Sequence, residues 1–321
     1  DRVFGPDTST DEVYRCVAQP IVKSAMNGFH GTVFAYGQTA SGKTFTMMGN
    51  EDHPGLIPRA IQEIFDTIEN TPEREFLIRA SYVEIYNENV MDLLGPKDSV
   101  KKNLDVREDK DGNVFVNNLT EKICNQPEAL LSHLKMGESN RHFAATNMNE
   151  RSSRSHCIFK VIIESKLRSV ELDASAINVS HLNLVDLAGS EKAKHTGAVG
   201  QRLVEGASIN KSLSTLGQVI LQLSENAKFI QYRDSKLTRI LQNSLGGNSK
   251  TAIIGNVTLA SMEETLSTLR FATSAKCIKN QAVVNEVISD SALLKRYRQE
   301  ILKLEEKLKI TNEMMAAKEQ E

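Results

Sequence analysis

Residues 37 to 44 read Gly37-Gln38-Thr39-Ala40-Ser41-Gly42-Lys43-Thr44, a complete G-x-x-x-x-G-K-T run directly after the β-prone segment Thr32-Val33-Phe34-Ala35-Tyr36. Two glycines let a chain wrap a phosphate so closely that several backbone N–H groups donate at once, and a following helix turns its positive N-terminal end to the same anion. In that setting Lys43 holds the β- and γ-phosphates and Thr44 places its hydroxyl on Mg²⁺, which points to a Mg²⁺-dependent nucleoside triphosphatase. A second chemical signal lies far downstream. His181-Leu182-Asn183-Leu184-Val185-Asp186 is an apolar strand ending in a carboxylate, suited to hold a Mg²⁺-bound water. Leu187-Ala188-Gly189-Ser190-Glu191 follows it, and the Gly189 amide can meet a γ-phosphate without side-chain interference. Asn149-Glu150-Arg151-Ser152-Ser153-Arg154-Ser155-His156 crowds three hydroxyls and two guanidinium groups into one stretch. Alone it reads as a solvated loop; beside a phosphate loop and a strand-terminal aspartate it reads as a switch.

The elements that must position these groups alternate. Strands are expected at 32–36, 76–86, 156–165, 180–187 and 251–258, and helices at 10–27, 43–48, 58–70, 127–140, 206–226 and 234–245, with 166–180 a polar hairpin loop. Strands spaced by helices imply an α/β layered sheet. All seven prolines lie at or before Pro127 and the last glycine is Gly255, so a long helical ending is expected. There Leu294, Tyr297, Ile301, Leu304, Leu308, Thr311 and Met315 recur by threes and fours, a short heptad seam or a lone amphipathic helix.

Composition narrows the classes. The chain has 321 residues, 40% hydrophobic, with a net charge of −2, enough for one large domain and without a global pull towards polyanions. Its longest apolar runs fall far short of the roughly 20 residues of a membrane span. No signal-peptide pattern opens the chain, which starts without Met and is expected to be cut from something longer. Cys16, Cys124, Cys157 and Cys277 form no C-x-x-C pair, arguing against zinc or a disulfide framework.

Gly37 to Thr44, N-x-x-S-S-R-S-H at 149–156, Asp186 to Glu191, and Tyr232-Arg233-Asp234-Ser235-Lys236-Leu237-Thr238 together resemble the kinesin motor domain. Within that family Asn50 to Arg59 and Val284 to Val287 with Leu293 to Arg298 resemble the mitotic centromere-protein-E type. The resemblance implies an α/β phosphate-loop core with a mixed or mostly parallel central sheet flanked by helices: a motor core over 1–277, a neck linker over 278–289 and a neck coiled-coil helix over 290–321. It implies ATP and Mg²⁺, with Thr44, Ser153 and Asp186 around the metal and Ser153, Arg154, Gly189 and Glu191 as catalytic positions. Arg154 is expected to pair with Glu191 across the nucleotide. Release of phosphate from Gly189 is expected to let the helix beginning near Gly206 move. Phe45 falls where the family places a ring near adenine.

The resemblance also implies a partner, the microtubule. Lys228, Tyr232, Arg233, Lys236 and Arg239 form a basic segment suited to tubulin's acidic surface, joined by Lys192, Lys194 and Lys211. Basic residues are not interleaved with aromatics, so nucleic acid is not the expected partner, and the short apolar runs leave no membrane partner expected either. The linker's position after the core suggests plus-end-directed motion, and the heptads a homodimer. The expected place is the cytoplasm and its microtubule cytoskeleton, extending to spindle and kinetochore. A non-motile microtubule-binding module is the alternative; a signalling GTPase would need an N-K-x-D motif, which is absent. One departure stands out. Family motor domains begin roughly fifty residues earlier, with an Arg-x-Arg-Pro stretch that frames adenine and a strand that covers the docked linker, so a missing sheet strand, a missing adenine wall and weak microtubule-stimulated ATPase activity are expected of this chain.

Overall fold

The computed structural model describes residues 1–96, 103–110, 112–145, 153–168, 176–191 and 201–287, with 142–145 and 201–210 described as backbone only. The expected neck coil, Lys192, Lys194 and the Asn149–Ser152 half of the serine-arginine motif lie outside the described residues.

In chain order the elements are α1 (Thr10–Val13), a π-type turn (Tyr14–Ala18), α2 (Gln19–Met26), β1 (Gly31–Tyr36), α3 (Lys43–Met47), α4 (Leu56–Glu69), β2 (Arg74–Tyr86), β3 (Asn89–Asp92) and β4 (Val106–Glu108). Then come β5 (Val114–Val116), β6 (Lys122–Cys124), α5 (Pro127–Ala145), β7 (His156–Leu167), β8 (Ile177–Asp186), α6 (Gln201–Ser224), α7 (Lys236–Ile240), β9 (Lys250–Gly255), α8 (Met262–Lys276) and β10 (Glu286–Val287). The sheet runs β3-β2-β7-β8-β1-β9. Only β8, β1 and β9 are mutually parallel, and the other pairings are antiparallel, so the sheet is mixed.

β1 is buried at every position, which explains why it reads as a continuous apolar run instead of an alternation. Its side chains still divide by face. Val33 and Ala35 join the core formed with α2, α4 and α5, while Phe34 and Tyr36 join the core formed with α6 and α7. α4 buries Leu56, Ile57, Ala60, Ile61, Ile64 and Phe65 in a helical stripe. Burying a side chain the size of Phe34 contributes about 2–3 kcal/mol, and truncating it to Ala costs about 3–5 kcal/mol.

Three differences from the sequence reading have physical causes. The helix expected from Gly206 begins at Gln201, because helical hydrogen bonding carries through one glycine at a cost of only about 1 kcal/mol. The helix expected over 234–245 shortens to α7 and a 3₁₀ turn at Gln242–Ser244. α8 falls inside the helical ending expected after Gly255 but is not singled out by the sequence as a helix of its own: Met262-Glu263-Glu264-Thr265 carries little apolar periodicity, and its anchor is the Phe271 ring stacked on Tyr36 at 3.8 Å.

Candidate active site

β1 and β8 run side by side in register, with Ala35 opposite Asp186, so both strands end at the same edge. Gly37 follows β1 immediately, placing the phosphate loop beside the β8 carboxylate; ligands of open α/β sheets bind at such strand ends. Thr44, on the first turn of α3, donates its hydroxyl to Asp186 Oδ2 at 2.7 Å. Two residues 142 positions apart thus meet as the sequence motifs require.

The loop backbone is bent to receive an anion. Gly42 has φ 91° and Ala40 φ 60°, both left-handed, which turns successive N–H groups inward. Gly37 has no room for a side chain, since a Cβ there would lie 2.1 Å from the Asn256 carbonyl oxygen. Lys43 is buried and its ammonium donates to the Gly37 and Gln38 carbonyls at 2.8 and 2.7 Å. Burial pushes the Lys43 pKa down and that of Asp186 up, and the opposite charge of each opposes the other's shift.

The segment after β8 closes on the loop, and Ser153 joins that segment. Glu191 accepts from the Thr39 N–H at 2.7 Å and, through its other oxygen, from the Thr39 hydroxyl. The expected Arg154–Glu191 pair is not among the ion pairs of the described residues; in this conformation Thr39 takes both Glu191 oxygens. Gly189 N–H donates to the Ser153 carbonyl at 2.9 Å, and Ser190 N–H to the Gly37 carbonyl at 3.1 Å. The expected glycine is required by space, because a Cβ on Gly189 would approach Thr39 Oγ1 to 2.2 Å and Glu191 Oε2 to 2.4 Å.

Two positions had no assigned role in the sequence. Buried Arg141 of α5 lies 3.8 Å from Asp186 Oδ2 and 3.7 Å from Glu138. Nothing in its helical neighbourhood marks it, since only the packing of α5 brings it to β8. His156 closes the serine-arginine motif, and its ring is buried. Nδ1 accepts from the Ala188 N–H at 3.0 Å, which leaves the proton on Nε2 to be donated to Ser212 Oγ of α6 at 2.7 Å. Burial, with Lys43 and Arg141 nearby, lowers its pKa to about 3, so the ring is neutral.

Phe45, proposed near adenine, is 48% exposed, so it is not a core-packing residue. The basic segment is only partly free. Lys228 and Arg233 are exposed, but Arg239 is drawn to Glu108 of β4 and Gln242, and Arg233 also pairs with Glu108 at 3.1 Å. Tyr232 packs against the core and gives its hydroxyl to the Leu245 carbonyl at 2.6 Å. Lys236 is half-buried at the start of α7, where its N–H meets Glu88 at 2.8 Å.

Residues 278–287 lie along the core. Asn280 donates to the Ser249 carbonyl at 2.7 Å and accepts from the Gly246 N–H at 2.8 Å. Asn285 N–H donates to the Gly28 carbonyl at 2.9 Å, and β10 pairs antiparallel with the start of β8.

The fold and site define an α/β phosphate-loop protein in which the segment after β8 contacts the loop and Ser153 contacts that segment. Comparison with known proteins sharpens the class. The kinesin motor domain family matches residues 1–278, and the chain belongs to that family. It is 56% identical over 311 residues to human centromere-associated protein E, covering 96% of this chain and 12% of that protein. It is 52% identical over 313 residues to kinesin-like protein KIN-7L of Oryza sativa subsp. japonica, covering 96% of this chain and 48% of that one. The chain therefore spans less than half the length of these relatives. Among solved structures, a fast kinesin superposes with a TM-score of 0.83 at 45% identity, covering 90% of this chain and 82% of that one. A KIF14 dimer bound with AMP-PNP to a microtubule superposes at 0.79 with 42% identity, over 89% of this chain and 81% of that one.

Proposed function

We propose that this chain is the ATP-hydrolysing, microtubule-stimulated head of a plus-end-directed mitotic motor that works as a homodimer at spindle and kinetochore. The observation that carries the reading is the Thr44–Asp186 contact at the shared end of β1 and β8, with Glu191 and Gly189 poised on the phosphate loop. The residues fit a Mg²⁺-nucleotide: Asp186 Oδ1, Ser41 Oγ and Gln38 Oε1 are buried there with no hydrogen-bond partner. Thr44, Ser153 and Asp186 would hold the Mg²⁺, residues 37–44 the phosphates, and Phe45 the base. Bound there, Mg²⁺-ATP supplies the γ-phosphoryl group for transfer to water.

Phosphoryl transfer asks the protein for position and charge compensation more than for covalent chemistry. Lys43 supplies a desolvated cation. Glu191, on freeing its oxygens from Thr39, can take Arg154 and orient the attacking water. The Gly189 N–H would turn from the Ser153 carbonyl to a phosphate oxygen of a bound nucleotide, and His156, held between the Ala188 N–H and Ser212, would link that segment to α6. The linker's antiparallel pairing with β8 supports plus-end direction, and identity to centromere-associated protein E supports the mitotic assignment.

The test is steady-state ATPase activity with and without microtubules, followed by gliding of polarity-marked microtubules. Stimulated turnover with minus-end-leading gliding is expected. Microtubule binding without stimulated turnover identifies a non-motile module instead.

A further inference from the structure

Cross-strand register places a row of polar side chains on one sheet face: Ser81 opposite Lys160, Lys160 opposite Asn183, Asn183 opposite Thr32 and Thr32 opposite Thr251. The row crosses five strands at the end of the sheet away from the phosphate loop. Part of it opens into a cavity of about 70 Å³, roofed by Phe115 of β5 and Ile240 of α7 and lined also by His30, His181 and Ser249. At about 10–15 Å³ per water this volume holds roughly five waters, or a small polyatomic ion.

The lining is one-sided in charge. Among the described residues no carboxylate lines it, and Lys160 is its one ammonium group. Burial pushes the Lys160 pKa down, and the acid that opposes this, Glu121, is itself engaged by Arg79. Both histidines are neutral near pH 7, kept so by burial and by Lys160. His181 N–H donates to His30 Nδ1 at 3.0 Å, which leaves the His30 proton on Nε2 as a donor. Ser81 is 1% exposed, yet its hydroxyl has no hydrogen-bond partner. A buried orphan hydroxyl beside an uncompensated ammonium calls for a bound acceptor.

We propose that this cavity is a second anion site, separate from the phosphate loop, which takes a small oxyanion between Lys160, Ser81, Ser249 and the histidine N–H groups. It lies under the hairpin and helix that carry Glu108 and Arg239, so occupancy would stiffen that surface. The inference does not depend on the motor reading.

Calorimetric titration with inorganic phosphate tests it on the wild-type chain, Lys43→Ala and Lys160→Met. Two binding events are expected in the wild type. Lys43→Ala keeps the cavity event, and Lys160→Met loses it by about tenfold or more in affinity, as deletion of a charged hydrogen bond implies. Ser81→Ala, which keeps the charge, weakens it by about fivefold, near 1 kcal/mol, and stands in if Lys160→Met does not fold. Equal phosphate binding by wild type, Lys160→Met and Ser81→Ala, or binding that disappears only with Lys43→Ala, overturns the site and leaves a hydrated cavity.

Discussion

Lowering the pH from about 7.5 to about 5.5 is expected to remove about 4 kcal/mol of stability through three histidines alone. Burial holds His156 down to about 3, His30 to about 4 and His181 well below the ordinary 6.5. A depressed folded-state value means that the unfolded chain takes up protons first. Stability is therefore complete above 6.5 and is lost as pH falls from there towards 4. Each histidine costs about 1.4 kcal/mol per unit in that window, and the change reaches about one unit below 6.5, so three together cost about 4 kcal/mol. Against a total of about 5–15 kcal/mol this is large, and for a chain of 321 residues it corresponds to a fall of roughly 6 °C in Tm. Asp186, whose value is raised, works in the opposite direction and is common to all variants. Denaturant unfolding across this range measures the slope, and His181→Asn removes one contributor, flattening it by about a third. A wild-type slope below that of one histidine, or a slope unchanged by His181→Asn, refutes the assignment of neutral buried rings.

Three further outcomes follow from the geometry. Gly189→Ala drives a methyl into Thr39 and Glu191, and a misplacement of about 1 Å at such a centre costs about a hundredfold in stimulated ATPase rate while nucleotide still binds; a fluorescent-nucleotide titration separates the two effects. Glu108→Gln releases Arg233 and Arg239, so cosedimentation at low salt should show a few-fold tighter microtubule binding with a steeper salt dependence. Among the described residues β9 ends the sheet with an unpaired side, and Leu259, Met262, Leu266 and Leu269 are exposed after it. Joining a covering strand ahead of Asp1 is expected to raise both Tm and microtubule-stimulated ATPase over those of the 321-residue chain; no change in either would show that this edge is self-sufficient.

The sequence by itself determined the chemistry of the site. A phosphate loop is a local object, because two glycines, a lysine and a threonine within eight residues set its backbone and its donors. The run from His181 to Asp186 likewise announced a strand with a carboxylate at its end, since Leu182 and Leu184 alternate with polar residues as a half-buried strand requires. Strand and helix positions were legible wherever apolar periodicity was strong, as in α4, and illegible where it was weak, as in α8. Tertiary structure decided what meets what. Thr44 reaches Asp186 only because β1 inserts between β8 and β9. Arg141 and His156 gain roles because α5 and α6 pack on opposite faces of that sheet. Arg239 looked like a free cation for the track until the β4–β5 hairpin placed Glu108 against it. Motifs report the contacts a chain makes with its near neighbours in sequence, whereas the partners of a buried charge are set by strand order and register.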